Sequence, residues 1–304
     1  MARHNNVSLI GAILKEKPPT IVKDDSGNYK VGISFIRVSR GNREVGDGKL
    51  IKYDSPVIWT QDPDMIAGMD KWKPYDIVYV KGTIATRAVV KKSHCTSCNT
   101  ENKAMGVLVY INPIHILKIG ECKDEQDCIN YLQKNGEVSN QVQIIGTLIR
   151  DPKKITPKAG LIVTQYPVAL KRKLFVKMDD PATKADYPWI KSYGENAVND
   201  RLHLRKGAEV YIDGCIQARH VNRHAVCAEC GKNYDWTDNA MEIVPFSTEY
   251  LTGQYTEQEI EENEKRRIAQ AKRDIFGKRG FEQQLPDDEL TQDDYSAGID
   301  PDAD

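Results

Sequence analysis

At a fixed offset of 132 residues, "WKPYDIVYVKGTIATRAVVKKSHCTSC" (72–98) lies without a gap on "LRKGAEVYIDGCIQARHVNRHAVCAEC" (204–230). Val78 falls opposite Val210, Tyr79 opposite Tyr211, Gly82 opposite Gly214 and Arg87 opposite Arg219, and the same offset pairs Pro56 with Pro188 and Pro113 with Pro245. Further upstream "NNVSLIGAIL" (5–14) matches "NQVQIIGTLI" (140–149) at an offset of 135. A repeat of this length means that whatever one half folds into, the other must also fold into. The 304 residues therefore divide into copies at 1–120 and 138–252, a helical linker over 121–137, a helix over 253–280 and a tail over 281–304. Each copy is long enough to bury its own core.

Within a copy the apolar residues alternate over short runs bounded by Gly, Pro, Asn and Asp, which is strand patterning. In the first copy the runs are "VSLIGAIL", "KVGISFIRVSR", "SPVIWTQ", "DIVYVKGTIATRAVV" and "MGVLVYINPIHIL", with a helical stretch, "PDMIAGMDKW", between the third and fourth. Five strands with a helix in that place is the order of the OB barrel, which grips oligonucleotides on its strand 2 and 3 face and with its 1–2 and 4–5 loops. The expected fold class is all-β: two tandem OB-fold barrels with zinc-knuckle hairpins, a C-terminal helix and a disordered acidic tail.

Both CxxC pairs, Cys95/Cys98 in "HCTSCN" and Cys227/Cys230 in "VCAECG", fall in register at the tip of the strand 4 to strand 5 hairpin. A structural zinc ion takes four such ligands, and each hairpin supplies two. If the tips meet, Cys95, Cys98, Cys227 and Cys230 form one all-thiolate Zn²⁺ site. Separate local sites drawing on His94, Cys122, His220 or His224 stay open as an alternative, as does the absence of metal. Seven cysteines, an odd number, suit metal binding in a reducing compartment better than a disulfide framework. The N-terminus lacks a secretory h-region and no long apolar run occurs, so a cytoplasmic protein with no membrane partner is expected.

In the second copy, "YGENAVNDRLHLRKGAEVYIDGCIQAR" (193–219) resembles the bacterial single-stranded DNA-binding protein family. An aromatic-Gly pair leads through a helix to a leucine, a basic pair and Gly, then a Val-Tyr-Ile-acid-Gly strand. The first copy carries only a degraded version, "WKPYDIVYVKG", and the CxxC hairpins lie outside the usual family pattern. The resemblance implies binding of single-stranded DNA in replication or DNA transfer, without enzymatic activity. Tyr193 and Gly194 match the family's aromatic-Gly pair, and Tyr187 matches another aromatic.

The residues say the same independently. Strand alternation in "DYPWIKSYG" puts Tyr187, Trp189, Lys191 and Tyr193 on one face, π surface interleaved with a cation. Unstacked bases and phosphates need that combination. The first copy reads Ser55, Val57, Trp59 and Gln61 there, leaving Trp59 as a platform with Tyr53, Phe35, Arg37, Arg40 and Arg43 beside it. Further phosphate contacts are expected from Lys171, Arg172, Lys173, Arg87 and Arg219. The second copy should bind the more tightly.

Of the 44 acidic residues, nine fall in 281–304, which has no Lys or Arg, so residues 1–280 carry 43 basic against 35 acidic groups. A basic body suits a polyanion; the acidic tail suits replication proteins as partners, or competition with the polyanion. Thr256 and Glu259 form a capping box for a helix ended by Gly277. The chain is expected to act as a monomer or homodimer. Two rivals remain, an RNA-binding OB protein and a non-catalytic nucleic-acid-binding subunit of a replication enzyme.

Overall fold

A computed structural model describes residues 4–41, 53–155, 161–172 and 183–279. The first copy contributes β1 (Asn5–Ile13), β2 (Thr20–Lys23), β3 (Tyr29–Ser39), β4 (Tyr53–Asp54), β5 (Val57–Thr60), α1 (Pro63–Met69), β6 (Asp76–His94) and β7 (Glu101–Glu121). Two helices, α2 (Glu125–Lys134) and α3 (Gly136–Ser139), lead into β8 (Asn140–Leu148), β9 (Lys153–Ile155), β10 (Val163–Lys171), β11 (Ala185–Asp186) and β12 (Trp189–Tyr193). The second copy ends with α4 (Gly194–His203), β13 (Glu209–Val226) and β14 (Asn233–Thr252), after which α5 (Glu257–Arg279) begins.

Each copy closes as a five-stranded OB barrel. In the first, β1 pairs with β3 and β6, β3 with β5, β5 runs parallel to β7, and β6 and β7 form an antiparallel hairpin. In the second, β8, β10, β12, β14 and β13 close in the same order. The inward residues of β1 and β8 (Val7, Leu9, Val142, Ile144) and of β6 and β13 (Val78, Val80, Val210, Ile212) are fully buried, as strict alternation requires. Gly82 and Gly214 sit at bulges where the register shifts, and a Cβ at Gly82 would lie 2.6 Å from the Asn112 carbonyl oxygen, one at Gly214 closer still to that of Val244. Only glycine permits that approach, which is why both copies keep it.

The two barrels are joined edge to edge. β1 and β8 pair antiparallel with Val7 opposite Val142, Asn5 opposite Ile144 and Leu9 opposite Asn140, so a pseudo-two-fold axis passes through the two valines. Asn5 and Asn140 occupy equivalent buried places, and each both donates to and accepts from a backbone: Asn5 with Ile84 and Asn140 with Ile216, at 2.8–2.9 Å.

A second reciprocal contact crosses between copies. Arg172 grips Asp186 with two bonds of 2.8 Å, and the Asp186 carboxylate accepts the Thr86 backbone N–H at 2.7 Å. Its counterpart, Arg40 on Asp54, has the Asp54 carboxylate accepting the Ala218 N–H at 2.7 Å. A carboxylate on β4 or β11 therefore holds the fourth strand of the opposite barrel.

At the C-terminal end the capping box closes, Thr256 N–H donating to the Glu259 carboxylate at 2.8 Å and Glu259 N–H to the Thr256 hydroxyl at 3.2 Å. α5 continues to Arg279, beyond Gly277. A single glycine costs a helix only about 1 kcal/mol and does not by itself end it. The acidic tail, 281–304, lies outside the described residues.

Candidate nucleic-acid interface and cysteine centre

Strands of 18 to 21 residues are far longer than a barrel needs, so β6–β7 and β13–β14 project as two fingers. Their tips fold alike. Cys95 N–H donates to the Thr100 carbonyl and Cys227 N–H to that of Lys232, both at 3.0 Å. Asn99 (φ 58°) and Gly231 (φ 67°) hold the left-handed position after the second cysteine in each. The tips meet. Cys95 Sγ lies 3.7 Å from Cys230 Sγ and Cys98 Sγ 3.6 Å from Cys227 Sγ, and all four sulfurs fall within 4.8 Å of one another.

A tetrahedron with metal–sulfur bonds of about 2.3 Å has sulfur–sulfur edges of about 3.8 Å, so the tetrad fits a thiolate-bound ion. Local donors support it: Ser97 N–H points at Cys95 Sγ and the Asn102 amide at Cys227 Sγ. The Cys230 backbone N–H leads in pulling the Cys227 thiol down to about 6. At Cys230 the Lys232 N–H acts in the same direction, but desolvation and the neighbouring sulfurs outweigh it and push the thiol up to about 11. The four sulfurs are close enough together to hold one metal ion. His94, Cys122, His220 and His224 are not part of this cluster.

Below the tips the fingers are laced together. Lys91 pairs with Asp238, one of its contacts measuring 2.6 Å, and Arg223 reaches the same carboxylate at 3.3 Å. Ser93 meets the Tyr234 hydroxyl at 2.8 Å, and Tyr234 is buried with Cys95 and Cys227 beside the half-buried Trp236. Asp238 and Tyr234 escaped the sequence reading because their counterparts, Gly106 and Asn102, are dissimilar.

The candidate contact residues separate into two groups. Tyr187 and Trp189 are exposed, at 49% and 37%. Lys191, expected on the same face, is instead buried at 3%, because Glu242 stands 3.8 Å from its ammonium and the Tyr193 ring lies 5.6 Å away. Burial pulls the Lys191 ammonium below its ordinary value, opposed by Glu242. Glu242 is gripped in turn by Arg219 through bonds of 2.8 and 2.9 Å. Tyr193 is half-buried, bonded to Gln217 at 3.1 Å, and burial raises its hydroxyl to about 12.

In the first copy the position of Lys191 is taken by Trp59 and that of Glu242 by Tyr110, two rings packed edge to face 5.2 Å apart. Trp59 is therefore internal, at 6%, with the exposed Arg87 guanidinium 4.8 Å over its ring. The same layer is aromatic in one barrel and ionic in the other. Arg37 pairs with Glu125 on α2 at 2.6 Å, and Arg40 and Arg172 serve the carboxylates described above. Phe35 is half-buried with Lys17 over its ring, Tyr53 packs with the linker cluster of Cys122 and Leu132, and Lys171 is half-buried at the end of β10. Arg43 and Lys173 lie outside the described residues. The acids that engage these cations were missed, although Arg40/Asp54 and Arg172/Asp186 recur at the repeat offset and were available as a signal.

The strand order and the closure of each copy define a tandem OB-fold protein with two exposed aromatic side chains beside β12. Residues 139–227 match the sequence profile of the single-strand binding protein family. The single-stranded DNA-binding protein of Thermotoga maritima is 31% identical over 80 residues, which cover 26% of this chain and 57% of that protein. The chain thus spans little more than half the length of that relative. Two crystal structures of the single-stranded DNA-binding protein from Thermus aquaticus share the fold. One, of a deletion mutant, aligns with a TM-score of 0.50 at 14% identity, covering 84% of this chain and 99% of that one. The wild type gives 0.50 at 13%, covering 84% and 97%.

Proposed function

We propose that this chain binds single-stranded DNA, coating and protecting it in replication or DNA transfer, as a non-enzymatic cytoplasmic protein. What carries the reading is the coincidence of the family match over residues 139–227 with an OB barrel that leaves Tyr187, between β11 and β12, and Trp189, at the start of β12, in solvent. Stacking on an aromatic plane contributes about 1–3 kcal/mol per base. Tyr187→Ala with Trp189→Ala is expected to weaken binding of an oligothymidylate by at least about tenfold, whereas Trp59→Phe, inside the barrel, should leave it near the parent. A titration with single-stranded DNA, double-stranded DNA and RNA of equal length tests the function itself: preference for duplex or RNA overturns it.

The cysteine tetrad is read as one structural zinc ion per chain, held by Cys95, Cys98, Cys227 and Cys230, that clasps the two fingers. The close approach of the sulfurs supports this, and the ion is given no chemical step. Among the described residues no helix is long and apolar enough to cross a membrane. The tail's nine uncompensated acids are proposed to compete with DNA for basic surface, and to offer replication proteins a contact. Removing residues 282–304 should tighten binding at low salt and have little effect at high salt; equal affinities at low salt would remove this role.

A further inference from the structure

Cys95 and Cys227 are buried at the finger tips, whereas Cys98 and Cys230 are exposed. The two close approaches of the tetrad, 3.7 Å for Cys95 with Cys230 and 3.6 Å for Cys98 with Cys227, run from one finger to the other, and each joins a buried sulfur to an exposed one. An oxidant in solution therefore meets one sulfur of each pair, with a second sulfur beside it on the opposite finger. Cys122, Cys128 and Cys215 are buried and stand apart from this cluster.

We infer that the tetrad is a site of oxidation by hydrogen peroxide, at which the ion leaves and the fingers become joined by Cys95–Cys230 and Cys98–Cys227 disulfides. The clasp turns from coordinate to covalent and does not open. In each pair the exposed thiolate attacks one peroxide oxygen, the O–O bond breaks, and a sulfenic acid forms with loss of hydroxide. The buried thiolate then attacks that sulfur, the S–S bond forms and a second hydroxide leaves, and two solvent protons turn the hydroxides into water. Each pair thus gives two electrons to one peroxide molecule, and the tetrad consumes two such molecules. Sulfurs that have lost their charge are no longer ligands, so the ion departs as hydrated Zn²⁺.

Two features favour bridges across the fingers over a bridge within each CxxC. The fingers stay in contact without the ion, because Lys91 pairs with Asp238 and Ser93 meets Tyr234 below the tips, and neither contact involves a sulfur. The turns themselves are tight: Asn99 N–H donates to the Cys95 carbonyl at 2.9 Å and Gly231 N–H to that of Cys227 at 3.0 Å. A bridge inside such a turn closes a ring over only two intervening residues and strains it, and strained disulfides are the readily reduced ones. Exchange among the four sulfurs therefore collects in the cross-finger pairs.

This inference rests on the reading of the tetrad as a zinc clasp, and one experiment separates the two. Zinc-loaded protein is treated with hydrogen peroxide, remaining thiols are alkylated, and the chain is cut with trypsin without reduction. Cleavage after Lys92 and Lys103 gives residues 93–103, with Cys95 and Cys98, and cleavage after Arg223 and Lys232 gives residues 224–232, with Cys227 and Cys230. All of the zinc should be released, and mass spectrometry should find the two peptides as one species, lighter than their sum by four hydrogens. Cys122, Cys128 and Cys215 should be recovered alkylated. Cys98→Ser with Cys227→Ser, which leaves Cys95 and Cys230, should still join the peptides through one bridge; failure to do so overturns that pairing. Two separate peptides from the parent, each lighter by two hydrogens or carrying added oxygen, overturn the inference and leave the zinc reading in place, as does zinc retained with all four thiols intact. Protein that carries no zinc as purified overturns the reading beneath it and the inference with it.

Discussion

Purified protein is expected to carry one zinc ion per chain, and Cys227→Ser with Cys230→Ser to lose all of it. The tetrad is assembled from two fingers that begin in different barrels, so each CxxC pair is only half of a coordination shell. A site with two thiolate ligands does not hold zinc against buffer, whereas four contribute free energy on the order of 10 kcal/mol at neutral pH. Loss should accordingly be complete from either side, with Cys95→Ser and Cys98→Ser together giving the same result. The consequence should be confined to the fingers, since the core that runs through the two barrels is separate from the cluster of Cys95, Cys227 and Tyr234 at the tips. Trp236, half-buried against Cys95, Cys227 and Tyr234, reports on that region, and its emission should move to the red when the ion is removed by a chelator. Metal analysis giving two ions per chain, or full retention after loss of one pair, would exclude a shared site.

The duplication was legible because a repeat imposes the same strand order twice, and the OB topology followed from alternation and from one helix in the right gap. The meeting of the CxxC tips stayed one of three alternatives in the sequence, since spacing along the chain says nothing about where two hairpins point. What settles their geometry is the β1–β8 pairing about Val7 and Val142, which sets both fingers on the same side. The contact residues were less legible. Alternation placed Lys191 beside Trp189 correctly along the strand, but not the depth of the face, which is set by Glu242 and Arg219 arriving from β14 and β13. A lone cation in a sequence reads as surface until its counter-ion is found. Here the counter-ions of Arg37, Arg40, Arg172, Arg219 and Lys191 lie between 14 and 88 positions away, on elements the local pattern does not connect.

Asp186→Ala is expected to be among the most damaging single substitutions in the chain, costing about 3–5 kcal/mol, the range for removing one partner of a buried ion pair. Arg172 would be left with its side chain only 10% exposed and its two carboxylate bonds gone, and the Thr86 N–H would lose its acceptor. The pseudo-symmetric Asp54→Ala should cost less. Its partner Arg40 is 22% exposed and can turn toward water, so the stranded charge is rehydrated at smaller expense. Chemical denaturation of the two variants measures the difference. Restoring the balance of charge tests the cause: Arg172→Ala added to Asp186→Ala should recover part of the loss, because the guanidinium stranded by the first change is then gone. The two aspartates also hold the fourth strand of the opposite barrel, so Asp186→Ala should loosen the root of the first finger, where Tyr187 bonds to Thr86. Weaker binding of single-stranded DNA by Asp186→Ala than by Asp54→Ala, measured well below the unfolding transition, is the expected functional trace. Equal destabilisation by the two variants would mean that burial of the arginine does not decide the cost.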